Sequence, residues 1–458
     1  MSREGFLARK ICFEMLFDVF ERGGYAQLVL KQRFKSETGL SSRDKSFITA
    51  VFYEVIARTF TLDHIIGLKI KGNIRSLDPL VRTVLRMGVW QILFSGSVPD
   101  HAAVNTSVEI ISKRVGHGAK ALVNAVLRAV AGEADFLKAG IRTAKPDVRF
   151  SMSSEIAGLL IKWYGKDKAE SIAAAFFEEA KVTARVNTLR CSRDRLQELL
   201  EEEEVESDIG LYSDQALTLR LQGTPLDALK AYRDGLFMIQ DEAAMLAGII
   251  TDPKPEDRIL DLCAAPGGKS CHLAELSNDD AEILATDINE SRLELVKQNA
   301  KRLGIRSIRT GIADAREPDS SVFGPEESFD IVLADVPCSG LGLLKRKPDI
   351  RLTISYERIR ALYPIQDEIL RNAARYVKKG GCLMYCTCTI NPDENENRVA
   401  AFLAERSDFR IEPITEIIAS KPAFSERHRN EAKEGRLLLL PDEDGCDGFF
   451  ISKMRRIV

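Results

Sequence analysis

Apolar residues recur at helical spacing through the first 140 positions, and then the pattern changes. Ile11, Met15 and Val19, followed by Leu28, mark one stripe. Val81, Val84, Leu85, Val89 and Ile92 mark a second, and Val104, Val108 and Ile111 a third. Pro99-Asp100 reads as a helix start and Gly116-His117-Gly118 as a break. Residues 1–140 are therefore expected to be all helix. The pattern shifts at Lys145-Pro146. Two short helices are expected within 151–182, then an extended run over 183–190. A helix ending in the acidic stretch Glu201 to Glu204 follows, and short β-like runs fill 205–238. The acidic stretch reads as a solvated helix end. This is a small α+β unit, bounded at 145–235.

From 236 to 458, strand-like and helix-like segments alternate. Strands are expected at 258–262, 282–286, 307–310, 329–334, 381–386 and 448–453, with long helices at 291–303 and 356–378. Alternation of this kind predicts an α/β, doubly wound, Rossmann-like sheet with helices on both faces. The fold class is thus multidomain: all-α, then a small α+β linker, then α/β.

The chain length of 458 residues agrees with several domains, and an apolar content of 45% excludes a disordered chain. No uncharged apolar run approaches the ~18 residues of a membrane span. The first twenty residues carry Arg3, Glu4, Arg9, Lys10 and Glu14, unlike a signal peptide. Nine cysteines, with no paired C-x-x-C knuckles, are expected to be reduced thiols in a cytoplasmic protein without a metal site. His64, His101, His117, His272 and His428 form no cluster. Net charge is −3, yet residues 1–140 hold 20 Lys and Arg against 13 Asp and Glu. A basic front on an acidic body suits a polyanion-binding module joined to an enzyme.

The segment Asp261-Leu-Cys263-Ala264-Ala265-Pro266-Gly267-Gly268-Lys269-Ser270 reads as a strand running through a turn into a helix. Small residues there let a ligand lie against bare backbone, beside the free N–H groups of a helix start. Asp287, twenty residues past Gly267, closes the next strand and is placed to accept from ribose hydroxyls. Asp314 follows the third strand and could hold an adenine amino group. The turn is not G-x-G-x-x-G, so S-adenosyl-L-methionine is favoured over a nicotinamide cofactor.

Two cysteines complete the picture: Cys338 in Asp335-Val-Pro337-Cys338-Ser-Gly340, and Cys388 in Tyr385-Cys386-Thr-Cys388-Thr389. Carbon 5 of cytosine is a poor nucleophile. A thiolate adding to carbon 6 makes the ring enamine-like, so that carbon 5 can take a methyl group. A free thiol has a pKa of about 8.5 and needs help to ionise. Asp335 can hydrogen-bond the cytosine edge. Exocyclic-nitrogen methyltransferases place an aromatic residue where Cys338 stands, so Cys338 points to ring-carbon chemistry. Cys263, Cys271, Cys382 and Cys386 read as buried free thiols.

These residues resemble the RNA 5-methylcytosine methyltransferases of the NOL1/NOP2/Sun type. The matches are Asp261 to Lys269, Asp335 to Gly340, Tyr385 to Thr389 with Pro392 and Glu394-Asn395-Glu396, Arg185-x-Asn187-Thr188, Gln240-Asp241 and Asp447-Gly448-Phe449-Phe450. Residues 1–140 resemble the NusB-type RNA-binding domain, most clearly at Val123-Asn124-Ala-Val-Leu-Arg128. The resemblance implies a class I methyltransferase domain over 236–458. It also implies a 16S rRNA substrate, methylated at cytosine 967; apart from it, a monomer with no membrane partner is expected. It further implies that Cys263, Ala264, Ala265, Pro266, Gly267, Gly268 and Lys269 line the methionine part of the cofactor. Asp287 would hold the ribose, Asp314 the adenine, and Asp335 would face the cofactor amine or the base. The nucleophile would be Cys388, with Cys338 helping to release the adduct, although sequence logic alone selects Cys338. Three features depart from the family pattern: Lys345-Arg346-Lys347-Pro348-Asp349 lacks a common His, the stretch from Leu440 to Gly448 lacks another, and Cys386 replaces Ser.

The target base must be splayed from its stack. Lys345, Arg346, Lys347 and Arg351, close after Cys338 in sequence, are expected to hold phosphates. A tRNA substrate and a non-catalytic NusB-like antitermination factor are the competing readings.

Overall fold

The computed structural model describes residues 3–457 except 38. They form two compact units, Met1–Glu178 with Leu344–Tyr356, and Glu179–Leu343 with Glu357–Val458. Among the described residues no helix is long and apolar enough to cross a membrane.

The first unit is helical throughout. Its centre is the helix Pro79–Leu93, in which twelve of fifteen residues are buried. Asp78 caps it, its side chain accepting from Leu80 N and Val81 N, and Pro79 takes the first-turn position where no N–H is needed. Ile11, Met15 and Val19 of Arg3–Arg22 pack into the same core, with Val104 and Ile111 of Asp100–Ile111. Leu28 does not: the helix Ala26–Ser36 buries only Ala26 and leaves Leu28 54% exposed. The helices Ser154–Tyr164 and Lys166–Ala175 also belong to this unit.

Leu344–Tyr356 joins the helical unit and corrects the expected phosphate grip. The Arg351 side chain is 1% exposed. Its Nη1 donates to Phe150 O at 2.7 Å and its guanidinium lies 4.8 Å from the Phe177 ring centroid. Lys345 is nearly buried and pairs with Glu178 at 3.1 Å. Asp349 accepts from Ala26 N, and Leu352 packs on the helical core. Lys345 and Arg351 are thus committed within the protein, and Lys347 is the exposed cation of the quartet.

The second unit holds two sheets. The smaller is antiparallel, ordered β2-β3-β1-β4, from β1 (Val182–Val186), β2 (Glu206–Ile209), β3 (Ala216–Arg220) and β4 (Phe237–Ile239). It takes Phe237–Ile239 as its edge strand, just past the expected boundary at 235. The helix Arg193–Glu202 covers one face through Leu196 and Leu200. Glu203, expected to be solvated, accepts from the backbone of Lys230 and Ala231.

The larger sheet contains β5 (Arg258–Asp261), β6 (Glu282–Asp287), β7 (Ile308–Ile312), β8 (Phe329–Asp335), β9 (Val377–Thr387), β10 (Phe409–Ile411), β11 (Arg436–Leu439) and β12 (Phe449–Arg456). The order is β10-β12-β9-β8-β5-β6-β7, with β11 paired to β12. β7, β6, β5, β8 and β9 run parallel, and β12 is antiparallel to β9. All six expected strands are present; β10 and β11 were not foreseen. Alternate residues feed two apolar layers. Ile259, Ile331, Leu333, Cys382, Met384 and Cys386 face one way, and Leu260, Val332, Ala334, Leu383 and Tyr385 the other. The chain direction across the sheet reverses between β5 and β8. That switch point opens a crevice beyond the carboxyl ends of the strands, where ligands bind in sheets of this kind.

Candidate active site

β5 delivers Asp261 to the crevice. The turn after it leads into the helix Gly268–Leu276. Gly267 has φ +97°, and a Cβ there would lie 3.1 Å from the Val296 backbone, so both the conformation and the space call for glycine. Carbonyls of the turn are tied down from outside. Arg292 Nη2 donates to Ala265 O at 2.9 Å, Asn299 Nδ2 to Pro266 O at 3.0 Å, and Arg185 Nη1 to Gly268 O at 2.7 Å. The turn's surface is therefore backbone and small side chains held rigidly.

Asp261 is buried. Ser270 Oγ donates to its Oδ2 at 2.6 Å, while its Oδ1 has no partner among the described residues. Burial pushes the Asp261 carboxyl up to about 7. An unsatisfied acceptor in this position fits a cationic ligand group such as the ammonium of a bound amino acid. Burial, with Asp261, Asp335 and Asp287 nearby, pushes the Cys263 thiol well up, so it stays a neutral part of the lining.

Asp287 ends β6, accepts from Asn289 N at 3.0 Å and lies 3.4 Å from the Arg292 guanidinium. β6 and β7 run in register with Asp287 opposite Ile312. Ile288 and Ile312 are exposed to 63% and 51%. Large apolar side chains beside such an acid offer flat cover for a heterocycle, and sequence reasoning missed both. Asp314 is gripped by Arg316, whose Nη2 sits 2.6 Å from Oδ2, and this guanidinium holds the carboxyl below its ordinary range.

At the end of β8, Asp335 Oδ2 accepts from Lys269 Nζ at 2.6 Å. The same ammonium lies 5.0 Å from the Phe449 ring centroid. Burial works against the Lys269 charge, but Asp335 together with the Cys386 and Cys388 sulfurs more than offsets it and the group is held above its ordinary range.

The two sequence-selected thiols meet. Cys338 Sγ and Cys388 Sγ are 3.3 Å apart. β8 and β9 are adjacent and parallel, with Asp335 opposite Cys386, so the loops leaving them start level. Val336 N donates to Cys386 O and Gly342 N to Cys388 O, both at 3.1 Å. The bond it makes to the Cys388 side chain, then burial, pushes the Cys338 thiol well above its ordinary range. Asp447-Gly448-Phe449 braces the same loops from β12: Gly448 N donates to Gly342 O at 2.9 Å. A Cβ on Gly342 would come within 1.9 Å of Gly448 O. Gly342→Ala is therefore expected to destabilise the protein by about 1–3 kcal/mol. Thermal melts of the purified variant check this.

Of the four thiols expected to be buried, Cys271, Cys382 and Cys386 sit in the apolar layers, whereas Cys263 is half-buried because it lies on the cofactor turn rather than inside the sheet. His272 and His428 serve local packing, hydrogen-bonded to Gln215 and to Ser425. Among the described residues no group of acids, histidines and cysteines is placed to hold a metal.

Over 455 residues the chain is 34% identical to the probable ribosomal RNA small subunit methyltransferase B of Bacillus subtilis, with 98% of each covered. The chain belongs to the RsmB/F family. The model for 16S rRNA methyltransferase RsmB/F matches residues 248–455, that for the NusB family 7–132, and that for the RsmF/B-like ferredoxin-like domain 157–224. The ribosomal RNA small subunit methyltransferase B of Shewanella oneidensis is 29% identical over 452 residues, covering 97% of this chain and 98% of that one. Among solved structures, the crystal structure of PH0851 matches with a TM-score of 0.81 and 26% identity, over 100% of this chain and 99% of that one. A methyltransferase homologue from Pyrococcus horikoshii matches with a TM-score of 0.57 and 27% identity, over 68% of this chain and 98% of that one. This RsmB/F member thus combines a NusB-like helical domain, a ferredoxin-like domain and a methyltransferase domain built on a mixed sheet.

Proposed function

We propose that this RsmB/F chain methylates carbon 5 of a cytosine in 16S rRNA, cytosine 967 by family resemblance, through a transient bond between Cys388 and ring carbon 6. The observation that carries the reading is the approach of the two thiols to 3.3 Å beside an acid-lined, glycine-rich crevice. S-adenosyl-L-methionine held in that crevice supplies an electrophilic methyl group. The residues of this chain do the rest. The turn from Cys263 to Lys269 cradles the amino-acid part, with the buried, unpartnered Asp261 Oδ1 as the acceptor for its ammonium. Asp287 accepts from ribose hydroxyls, and Asp314 with Ile288 and Ile312 borders the adenine.

On the cytosine, Cys388 adds to carbon 6 and loads electron density onto carbon 5, which then takes the methyl group. Asp335, held by Lys269, hydrogen-bonds the base edge and stabilises the added state. Loss of the carbon-5 proton to a base returns the electron pair to the ring and expels Cys388 as thiolate. Cys338, alongside, assists this release. The three parts expected at 1–140, 145–235 and 236–458 belong to the same proposal, an RNA-holding front, a linker and a catalytic body working as a cytoplasmic monomer, with the helices of 154–175 and the segment 344–356 drawn into the front unit and the strand 237–239 into the linker sheet.

Bisulfite sequencing of total RNA from cells with and without the gene tests this. Loss of 5-methylcytosine at one 16S position is the expected result. Loss in tRNA instead would select the tRNA reading, and no change would revive a non-catalytic NusB-like factor.

A further inference from the structure

We infer that Glu394 is the positioning residue that locks Cys338 and Cys388 in register. The inference rests on the methyl-transfer reading above and adds the device that sets the distance between the two sulfurs.

Glu394 is fully buried. Its carboxyl group takes five hydrogen bonds. Oε1 accepts from Ser339 N at 2.8 Å and from Gln366 Nε2 at 3.0 Å. Oε2 accepts from Ser339 Oγ, from Thr389 Oγ1 at 3.2 Å and from Asn391 Nδ2 at 3.0 Å. Ser339 directly follows Cys338, and Thr389 directly follows Cys388. One acceptor group thus ties together the residues next to both sulfurs, and those two hydroxyls lie 2.8 Å apart, so either can donate to the other in place of the carboxylate.

Further bonds stiffen the clamp. Gln366, held by Glu394, donates its Nε2 to Pro337 O at 3.0 Å on the near side of Cys338. Tyr385 OH donates to Glu394 O at 2.7 Å, fixing the clamp's own backbone to β9. Asn395 accepts from Thr387 Oγ1 and donates to Thr389 O, so both neighbours of Cys388 are pinned. Filling space cannot explain an acid in this place. A buried carboxyl is retained only where its acceptor capacity is used, and here donors from both cysteine loops and from the helix Tyr356–Tyr376 use it. Glutamine could keep part of the network, because the Ser339 and Thr389 hydroxyls can turn to accept and the Asn391 amide can flip. Alanine would release both loops.

Two measurements on the full-length protein test this. With Glu394→Ala, kcat for methyl transfer to an rRNA fragment is expected to fall ~10²-fold, the cost of misplacing reacting groups by about 1 Å. KM for RNA and Kd for S-adenosylmethionine should stay within about threefold, and Glu394→Gln should recover most of kcat. The second measurement needs no RNA. Diamide takes one electron and one proton from each thiol, is reduced to the hydrazine, and leaves a Cys338–Cys388 disulfide, read by peptide mass. Glu394→Ala should slow this bond's formation at least ~10-fold relative to wild type, with Glu394→Gln close to wild type.

An unchanged disulfide rate in Glu394→Ala would overturn the positioning role, whatever kcat does. A slowed disulfide in a protein whose wild type methylates no RNA would uphold it and sink the methyl-transfer reading. If Glu394→Ala fails to fold, Glu394→Asp, which withdraws the carboxyl by one methylene, carries both readouts.

Discussion

Cys388→Ala is expected to lower methyl transfer by ~10⁴-fold or more and to leave no covalent RNA adduct, whereas Cys338→Ala should let the adduct accumulate. Distance cannot separate the two roles, because sulfurs 3.3 Å apart approach the same ring from nearly the same place. The proposed roles follow the family resemblance, which gives the attack to Cys388 and the release to Cys338. The Cys338 thiol is pushed above its ordinary range by its bond to the Cys388 side chain and by burial, and a retained proton suits a partner for a departing sulfur. Labelled S-adenosylmethionine measures transfer, and a shifted band on a denaturing gel counts adducts. An adduct that persists in Cys388→Ala and vanishes in Cys338→Ala would exchange the two assignments.

Much of this site is legible in the chain because its chemistry is carried by short segments at strand ends. The apolar runs before Asp261, Asp287 and Asp335 announce strands, and a side chain leaving the carboxyl end of a parallel strand enters the crevice whatever the rest of the fold does. Pairing of the two thiols follows from β8 and β9 being neighbours, which their alternation suggests but does not specify. What escaped has a common cause: charge was read as exposure. Lys345-Arg346-Lys347 and Arg351 look like a solvated basic loop, yet Arg351 lies inside, stacked on Phe177. Nothing local to that segment signals the aromatic surface 174 residues earlier that receives it. Glu394, amid Asn391-Pro-Asp-Glu-Asn-Glu396, looks like part of a polar turn, and its donors come from segments far apart in sequence. Burial of a charged group is decided by distant partners, which periodicity does not report.

Arg185 is another charge buried among distant partners, and its replacement should have the largest effect on stability. Arg185 of β1 and Glu275 of the helix Gly268–Leu276 are both fully buried. Nη2 meets Oε1 at 2.7 Å and Nε meets Oε2 at 2.8 Å, a two-pronged pair. Nη1 reaches Gly268 O, so the pair also braces the glycine turn. Arg185→Ala leaves the Glu275 carboxyl buried without its partner and is expected to cost about 3–5 kcal/mol, read by urea unfolding. Burial already raises the Glu275 carboxyl against the pull of Arg185, and loss of the guanidinium raises it further. A carboxyl raised on folding binds a proton in the folded state that the unfolded chain has released. Its stabilising contribution is present below the unfolded value of about 4.3 and is lost as pH rises towards the folded one. The deficit of Arg185→Ala should therefore be larger at pH 8 than at pH 5. Replacing both partners, Arg185→Met with Glu275→Leu, should recover most of the loss, since no orphaned charge remains. S-adenosylmethionine affinity should stay weakened in both variants, because the Gly268 carbonyl has lost its donor. A single variant within 1 kcal/mol of wild type at pH 8 would mean that water or a neighbour satisfies Glu275, and that the pair does not hold the turn in place.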